Sequence, residues 1–291
     1  MFCRVSWVLF LGVVLFVGSA QALTVAVSIA PLCDLVKQVG RERVDVTQLI
    51  PNGVNPHTYE PTPSDVLKAV KADAFFLVGL GFDSFLLKVI EAARKKEALI
   101  FYISSGIPLL EELHGHANPH VWLSLKNALL ILENIAQALS ALDPEGESFY
   151  RKNAQEYAEI LKEIDKWFEK EVKSFSSLAF VATHGSLSYL ARDYGLEEIG
   201  ILEKSPGYEP SPRELKEIVN TMQTKKAHVI VAEPQFSVKA AEVLAKETGS
   251  VLVIFDPLGS FPETPYHKLM WKNLEELAKA LKGEKNGSTN H

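Results

Sequence analysis

Cysteine is nearly absent from this chain, which contains two cysteines in 291 residues. Cys3 precedes an N-terminal apolar run that we expect to be removed, so Cys33 alone would remain and no internal disulfide could form. Cys33 lies in an apolar helical pattern and is predicted to be a small core residue. No cysteine follows the apolar run within a few residues, and a lipid-anchored form is therefore not expected.

A hydrophobic run long enough to cross a membrane is also missing. Val5–Val17 is almost purely apolar, but its about 13 residues fall short of the about 20 that a spanning helix needs. Arg4 supplies a positive charge before this run, and residues 20–22 (Ala-Gln-Ala) form a small-x-small cleavage pattern. These features predict a cleavable export signal over residues 1–22 and a periplasmic location, with an uncleaved anchor as the alternative.

Strong net charge and the common catalytic motifs are missing as well. The formal net charge of −6 becomes −7 once Arg4 leaves with the signal. Such mild acidity argues against nucleic acid as a partner. The sequence has no Walker-type phosphate loop, no Gly-x-Ser-x-Gly elbow and no His-Glu-x-x-His helix, and the run from Gly79 lacks the third glycine of a dinucleotide fingerprint. These absences exclude the enzyme classes that those motifs mark.

Apolar strand patterns alternate with helical patterns in two separate stretches of the chain. Near-continuous apolar strands are typical of parallel sheets with helices on both faces, so we predict an α/β fold with two such lobes. Residues 147–175 contain no glycine or proline and repeat apolar residues at helical spacing, which predicts a helix of about 28 residues that joins the lobes. The predicted organisation is a signal at 1–22, an N-terminal lobe at 23–143, a linking helix at 144–175 and a C-terminal lobe at 176–291.

Local capping signals predict where several helices begin. Ser64 is predicted to be the N-cap of a helix over residues 65–71. Ser124 is predicted to cap a helix that ends near Leu142, and Ser211 to cap a helix that follows Pro212.

Four side chains that can bind a metal lie at breaks in the chain: His57, His120, His184 and Asp256. Three of them follow predicted strands closely, and His120 comes after a longer excursion. Ligands of open parallel sheets bind beyond the carboxyl ends of the strands, and two candidates fall in each lobe, so we predict a site in the cleft between the lobes. Singly, a loop histidine is usually a solvated group and such an aspartate is often a helix cap, but the joint pattern favours a metal site. Three imidazoles and one carboxylate suit a borderline ion such as zinc.

The remaining histidines and one acid have weaker signals. His114 and His116 form a small histidine-rich loop that could capture a metal loosely, although two solvated imidazoles are the favoured interpretation. His228 is interpreted as structural and His267 as a surface residue. Glu60 is interpreted as a surface carboxylate, with entry into the metal shell as the alternative. A hydrolytic zinc site keeps an open position, whereas four ligands would fill a tetrahedral shell, so we expect no enzymatic activity.

Several short motifs recur together in one known family. They are Val25–Ala30 with Pro31, Pro51-Asn-Gly-Val-Asn-Pro-His57-Thr-Tyr-Glu-Pro-Thr-Pro-Ser-Asp65, Asn118-Pro-His120-Val-Trp-Leu, Thr183-His184, Glu209-Pro-Ser-Pro, Glu233-Pro-Gln-Phe and Asp256-Pro-Leu. On these motifs the chain resembles the TroA-like metal-binding solute-binding proteins of ABC transporters, the zinc- and manganese-uptake group, over essentially the whole mature sequence. The resemblance implies two α/β lobes joined by a long helix, with the metal between the lobes on His57, His120, His184 and Asp256.

The resemblance also implies a function: high-affinity extracytoplasmic binding of Zn²⁺ and its delivery to the membrane permease of an ABC transporter. Manganese-type members often hold Glu at the third ligand position, so His184 favours zinc, since imidazole is softer than carboxylate. Zinc-type members often carry a long His- and Asp-rich loop before the second ligand, which is reduced here to His114-Gly-His116. We expect a monomer. The alternatives are a manganese carrier of the same family and, from other classes, an extracytoplasmic zinc hydrolase or an adhesin-like surface protein.

Overall fold

The computed structural model describes residues 22–94, 97–111, 117–204 and 207–283. The predicted export signal, apart from Ala22, lies outside these residues, and so do His114 and His116. In the part of the chain that is described, no helix has both the length and the apolar character that crossing a membrane requires.

The first half of the chain folds into a four-stranded parallel sheet with helices packed on it. Its elements are β1 (Leu23–Val27), α1 (Ala30–Gly40), β2 (Val44–Gln48), α2 (Pro63–Lys71), β3 (Ala74–Leu77), α3 (Leu86–Ala92), β4 (Leu99–Tyr102) and α4 (Leu125–Leu142). The strands lie in the order β2-β1-β3-β4. Val25 of the central strand β1 pairs with Val46 on one side and Ala74 on the other. The carboxyl ends of all four strands therefore lie at one edge of the sheet.

The second half repeats this arrangement after a long helix. Its elements are α5 (Glu147–Val172), β5 (Ala179–Ala182), α6 (Ser188–Tyr194), β6 (Glu197–Ile201), α7 (Pro212–Lys225), β7 (Val229–Ala232), α8 (Lys239–Thr248), β8 (Val251–Ile254) and α9 (Tyr266–Leu281). The strand order β6-β5-β7-β8 matches that of the first sheet, strand for strand. All of its pairings are parallel. The prediction of two parallel-sheet lobes joined by one long helix is confirmed.

Capping residues begin the helices largely as the sequence indicates. Ser124 accepts a hydrogen bond from the Asn127 amide at the start of α4, as predicted. The prediction that Ser64 caps α2 is wrong, because Thr62 occupies the cap position. Pro63 takes the first helical position, where its fixed φ and missing N–H are tolerated. The Asp65 carboxylate then accepts hydrogen bonds from the Thr62 amide and hydroxyl, both at 2.8 Å, which completes a capping box.

One apolar core extends through both sheets and the long helix. It includes Phe76 of the first sheet, Phe168 of α5 and Phe180 of the second sheet, each with no exposed surface. Cys33 is fully buried in the same core, as predicted. Because close-packed interiors transmit displacement rather than absorb it, this shared core favours a small relative movement of the two sheets.

Hydrogen bonds also join the two halves directly beside the cleft. The indole Nε1 of Trp122 donates to the carbonyl oxygen of Pro257 at 2.9 Å. The Asn52 side chain donates to the Phe261 carbonyl at 3.1 Å and accepts from the Phe261 amide at 3.2 Å. These bonds tie the loop before His57 and the segment after His120 to the loop after β8, which limits how far the cleft can open.

Candidate metal site

The first candidate ligand, His57, lies in a single 3₁₀ turn (Pro56–Thr58) beyond the end of β2. Asn55 caps this turn, and its side-chain oxygen accepts the His57 amide at 2.9 Å. Pro56 is buried and fixes the backbone at the first position of the turn. The local sequence Asn-Pro-His therefore places the imidazole at the sheet edge where ligands of parallel sheets bind.

The second ligand, His120, is buried and is held by a neighbouring amide. Its backbone amide donates to Asn118 Oδ1 at 2.9 Å, and its ring Nδ1 lies 2.9 Å from the same oxygen. An amide oxygen can only accept, so Nδ1 carries the hydrogen and Nε2 keeps its lone pair for a metal. Asn118 in turn donates from Nδ2 to the Gly185 carbonyl in the other half at 2.8 Å. The orientation of this imidazole is thus set by a bond network that crosses the cleft.

The third ligand, His184, follows β5 after Thr183. Its Nδ1 lies 3.5 Å from Oε1 of Glu233, a carboxylate that is only 3% exposed and stands just beyond β7. Ser186 Oγ donates to the same carboxylate oxygen at 2.5 Å. The contact is not a hydrogen bond, since His184 Nδ1 has no hydrogen-bond partner among the described residues, but it places a carboxylate on the side of the ring where such a group commonly orients a metal-binding imidazole.

The structure brings these three histidines together. One nitrogen from each ring lies within 4.8 Å of the others, and the Nε2 atoms of His57 and His120 are 3.2 Å apart. Ligand nitrogens at about 2.05 Å from a tetrahedral zinc ion would be about 3.3 Å apart. The spacing of His57 and His120 therefore fits one edge of a tetrahedral shell, and His184 lies close enough to complete a third corner after a small shift.

The imidazoles of His57 and His120 are held in the neutral form. Desolvation, together with the charge that a protonated His184 would carry, lowers the pKa of His57 to about 4. The same causes, with the addition of His57 itself, place the pKa of His120 well below its usual value. Only neutral imidazole offers a lone pair to a metal, so at neutral pH these two rings bind without first losing a proton.

Asp256 is placed differently from the three histidines. It lies at the carboxyl end of β8, but among the described residues its carboxylate is not part of the group whose ligand atoms lie within 4.8 Å of one another. Its Oδ1 instead accepts hydrogen bonds from Gln235 Nε2 at 2.8 Å and from the backbone amides of Leu258 and Gly259, both at 3.1 Å. Pro257 and Leu258, the residues that follow it, line the same small cavity as the histidines. Its role as a ligand stays a prediction.

Aromatic side chains form the walls of this cavity. The Phe236 ring packs on His184 with centroids 4.7 Å apart and an interplanar angle of 30°. Phe82 meets His57 edge-on at 5.3 Å and contacts Trp122 at 5.2 Å. These rings pack around the imidazoles and contribute to the desolvation that lowers the pKa values of His57 and His120.

Two acidic groups behind His184 were not identified from the sequence. One is Glu233, and the other is Glu198 of β6, which accepts a hydrogen bond from Ser188 Oγ at 2.9 Å. Burial raises the pKa of Glu198 to about 7. The sequence signal that could have found Glu233 is its position directly after the buried strand β7, at the same sheet edge as His184.

Glu60 and His228 are placed as the sequence predicts, and His267 is not. Glu60 is exposed, as expected for a surface carboxylate. His228 has its Nε2 3.0 Å from the Ala280 carbonyl oxygen, in keeping with a structural role. The interpretation of His267 as a surface residue is wrong, because its ring is half-buried and its Nδ1 lies 3.1 Å from the Tyr157 hydroxyl of α5. Packing of α9 against α5 covers this ring, and the sequence around it does not show that contact.

Comparisons with known proteins find metal-transport relatives. Residues 25–280 match the family model described as "Zinc-uptake complex component A periplasmic". The chain is 30% identical over 288 residues to the "High-affinity zinc uptake system protein ZnuA" of Bacillus subtilis, covering 91% of this chain and 90% of that protein. It is 27% identical over 300 residues to the "Manganese ABC transporter substrate-binding lipoprotein PsaA" of Streptococcus mitis, covering 94% and 97%. A crystal structure of ZnuA matches with a TM-score of 0.82 at 30% identity, covering 89% of this chain and 99% of that one.

Proposed function

We propose, since this chain belongs to the periplasmic zinc-uptake complex component A family, that it captures Zn²⁺ outside the cytoplasm and delivers it to a membrane permease. Membership makes the chain a metal-binding substrate-binding protein of an ABC transporter, with a metal ion and a permease as its partners. The relatives are substrate-binding proteins and not enzymes, which agrees with the expectation that this chain catalyses no reaction. The choice of zinc over manganese goes beyond family membership, because the relatives are named for both metals.

The observation that carries the zinc proposal is the convergence of three imidazoles on one point. Zinc is bound well by neutral imidazole in four-coordinate sites, whereas manganese favours six ligands rich in oxygen. His57, His120 and His184 supply three nitrogen donors within 4.8 Å of one another, and the pair from His57 and His120 is already at tetrahedral spacing. We propose Asp256 as the fourth ligand, since it ends the strand next to β7 at the same edge of the sheet.

The direct test is metal binding by the purified mature chain. Metal-free protein is titrated with Zn²⁺ in competition with a chromogenic chelator, and the bound zinc is then challenged with excess Mn²⁺. We expect one Zn²⁺ per chain, retained against a hundredfold or larger excess of Mn²⁺, which corresponds to about 2.7 kcal/mol or more of preference. Displacement of zinc by an equal concentration of Mn²⁺ would contradict the zinc assignment and support a manganese carrier.

Proton release on metal binding tests the state of the imidazoles. If the pKa values of His57 and His120 had stayed at about 6.5, these two rings would release about 1.5 protons at pH 6. Because both pKa values are lowered, we expect almost no release from either ring at that pH. The number is measured by calorimetry of Zn²⁺ binding in two buffers of different ionisation enthalpy. His184 can contribute at most one proton, so a total clearly above one would contradict the prediction.

A further inference from the structure

The carboxylate of Asp256 is held through one of its two oxygens. Oδ1 accepts three hydrogen bonds, from Gln235 Nε2 at 2.8 Å and from the amides of Leu258 and Gly259 at 3.1 Å. From the described residues no hydrogen bond reaches Oδ2. Three hydrogen bonds compete with a metal ion for the lone pairs of Oδ1, and the bond from Gln235 is the shortest of them, so Oδ2 is the oxygen that is available for coordination.

Of the three donors, Gln235 is the only side chain. Since a carboxylate can only accept, the amide atom that faces Asp256 must be the nitrogen of Gln235. This choice leaves the amide oxygen of Gln235 buried and without a hydrogen-bond partner among the described residues. The hydrogen bond to Asp256 therefore sets the orientation of the Gln235 amide. This orientation leaves the buried Gln235 Oε1 without a donor, which costs free energy of folding.

Gln235 is also placed where it can influence a bound metal. It lines the small cavity that contains His57, His120 and His184. The next residue, Phe236, packs its ring on His184, which anchors this segment to the third ligand. Gln235 thus connects the segment after β7 with the carboxylate after β8.

We propose that Gln235 is a specificity-determining residue, which restricts Asp256 to coordination through a single oxygen and thereby favours zinc over manganese. The inference rests on the proposed function, because it requires Asp256 to be the fourth ligand. Three imidazoles and one oxygen give the four-coordinate shell that zinc adopts. Manganese favours six ligands rich in oxygen, and a carboxylate that binds through both oxygens would be the first step towards such a shell. The hydrogen bonds on Oδ1 hinder the carboxylate from binding manganese through both of its oxygens.

The test replaces Gln235 with methionine, which has a similar length but cannot donate a hydrogen bond. Zn²⁺ and Mn²⁺ affinities are measured by competition titration, and we expect the ratio of the two affinities to fall about tenfold or more in Gln235→Met. Gln38→Met is the matched control, because Gln38 Nε2 donates to Asp34 Oδ1 at 3.1 Å on α1, away from the cleft. The control should keep the ratio within about twofold of the unchanged protein. An unchanged ratio in Gln235→Met, or an equal loss for both metals, would overturn the inference.

The visible absorption of bound Co²⁺ reports the number of ligands around the metal, which a change in protein stability alone would not alter. Four-coordinate Co²⁺ absorbs visible light much more strongly than five- or six-coordinate Co²⁺. We expect the Co²⁺ form of the unchanged protein and of Gln38→Met to show the intense four-coordinate spectrum, and Gln235→Met to show a weaker one. An equally intense spectrum in Gln235→Met would show that Oδ1 stays out of the metal shell without Gln235, and would contradict the proposal.

Asp256→Ala separates failure of this inference from failure of the proposed function. In the Asp256→Ala background, adding Gln235→Met should change neither the affinity ratio nor the cobalt spectrum, because the carboxylate on which it acts is gone. If Asp256→Ala alone leaves zinc binding intact, Asp256 is not a ligand and the proposed metal shell is wrong. If Asp256→Ala weakens zinc binding but Gln235→Met does not alter the ratio, the shell stands and the role of Gln235 is wrong.

Discussion

Replacing His120 with alanine is expected to weaken Zn²⁺ binding by about 100-fold or more. Four ligands share a binding free energy of about 10–16 kcal/mol in zinc-finger peptides, and on that scale one ligand accounts for about 2.5–4 kcal/mol. The loss cannot be compensated locally, because the His120 ring is buried and Asn118 holds it in the orientation that presents Nε2. The measurement is competition titration of the metal-free variant against a chromogenic chelator.

The control for this prediction is His114→Ala. His114 lies outside the described residues and is interpreted as a solvated imidazole, so its removal should change the Zn²⁺ affinity by less than about threefold. Circular dichroism of both metal-free variants establishes that each is folded. Equal losses of affinity in His120→Ala and His114→Ala would contradict the division between a metal ligand and a loop histidine.

Replacing Asp34 with alanine is expected to lower the free energy of unfolding by about 1–3 kcal/mol. The Asp34 carboxylate of α1 accepts hydrogen bonds from the Tyr157 hydroxyl of α5 at 3.1 Å and from the Tyr266 amide at the start of α9 at 2.8 Å. Asp34 is only 5% exposed, so the variant leaves the buried Tyr266 amide without an acceptor, at a cost of about 1–3 kcal/mol. It leaves the Tyr157 hydroxyl with His267 Nδ1 as its remaining acceptor. Urea unfolding of the metal-free protein, followed by circular dichroism, measures the loss.

Asp45→Ala is the matched control for Asp34→Ala. Asp45 is an exposed residue of β2, and its removal should change the free energy of unfolding by less than about 0.5 kcal/mol. The two variants have the same change in composition and charge, so the difference between them isolates the buried hydrogen bonds. A loss in Asp34→Ala no larger than that in Asp45→Ala would show that this carboxylate does not hold the three helices together.

Much of the fold follows from patterns that act over short distances. Apolar runs such as those of β3 and β7, each four residues long and fully buried, predict parallel strands with helices on both faces. The absence of glycine and proline over residues 147–175 predicts the long helix, which ends three residues earlier, at Val172. After Val172 the chain continues in tighter turns, since the Phe175 amide bonds to the Val172 carbonyl. Helix ends depend on local hydrogen bonds that periodicity does not report.

The N-cap of α2 is Thr62 and not the predicted Ser64. Ser64 and Thr62 are both good N-cap residues by type, and Pro63 separates them. The proline decides between them because it fits the first helical turn and leaves the residue before it extended. Since the order Thr62-Pro63-Ser64 is visible in the sequence, the N-cap of α2 could have been predicted correctly without the structure.

The sequence by itself determined the candidate ligands, because apolar strands that end in histidine or aspartate place those side chains at a predictable edge of a parallel sheet. His57 and His184 were found after predicted strands, whereas His120 was found at a break after a longer excursion, and the structure brings the three rings together. Only the tertiary structure decided what surrounds them: the carboxylate of Glu233 behind His184 and the three hydrogen bonds on one oxygen of Asp256. Periodicity and turn signals act between residues that are near in sequence, whereas these contacts and the lowered imidazole pKa values depend on packing between distant segments. Desolvation and hydrogen bonding of that kind exist only once both halves of the chain have folded against each other.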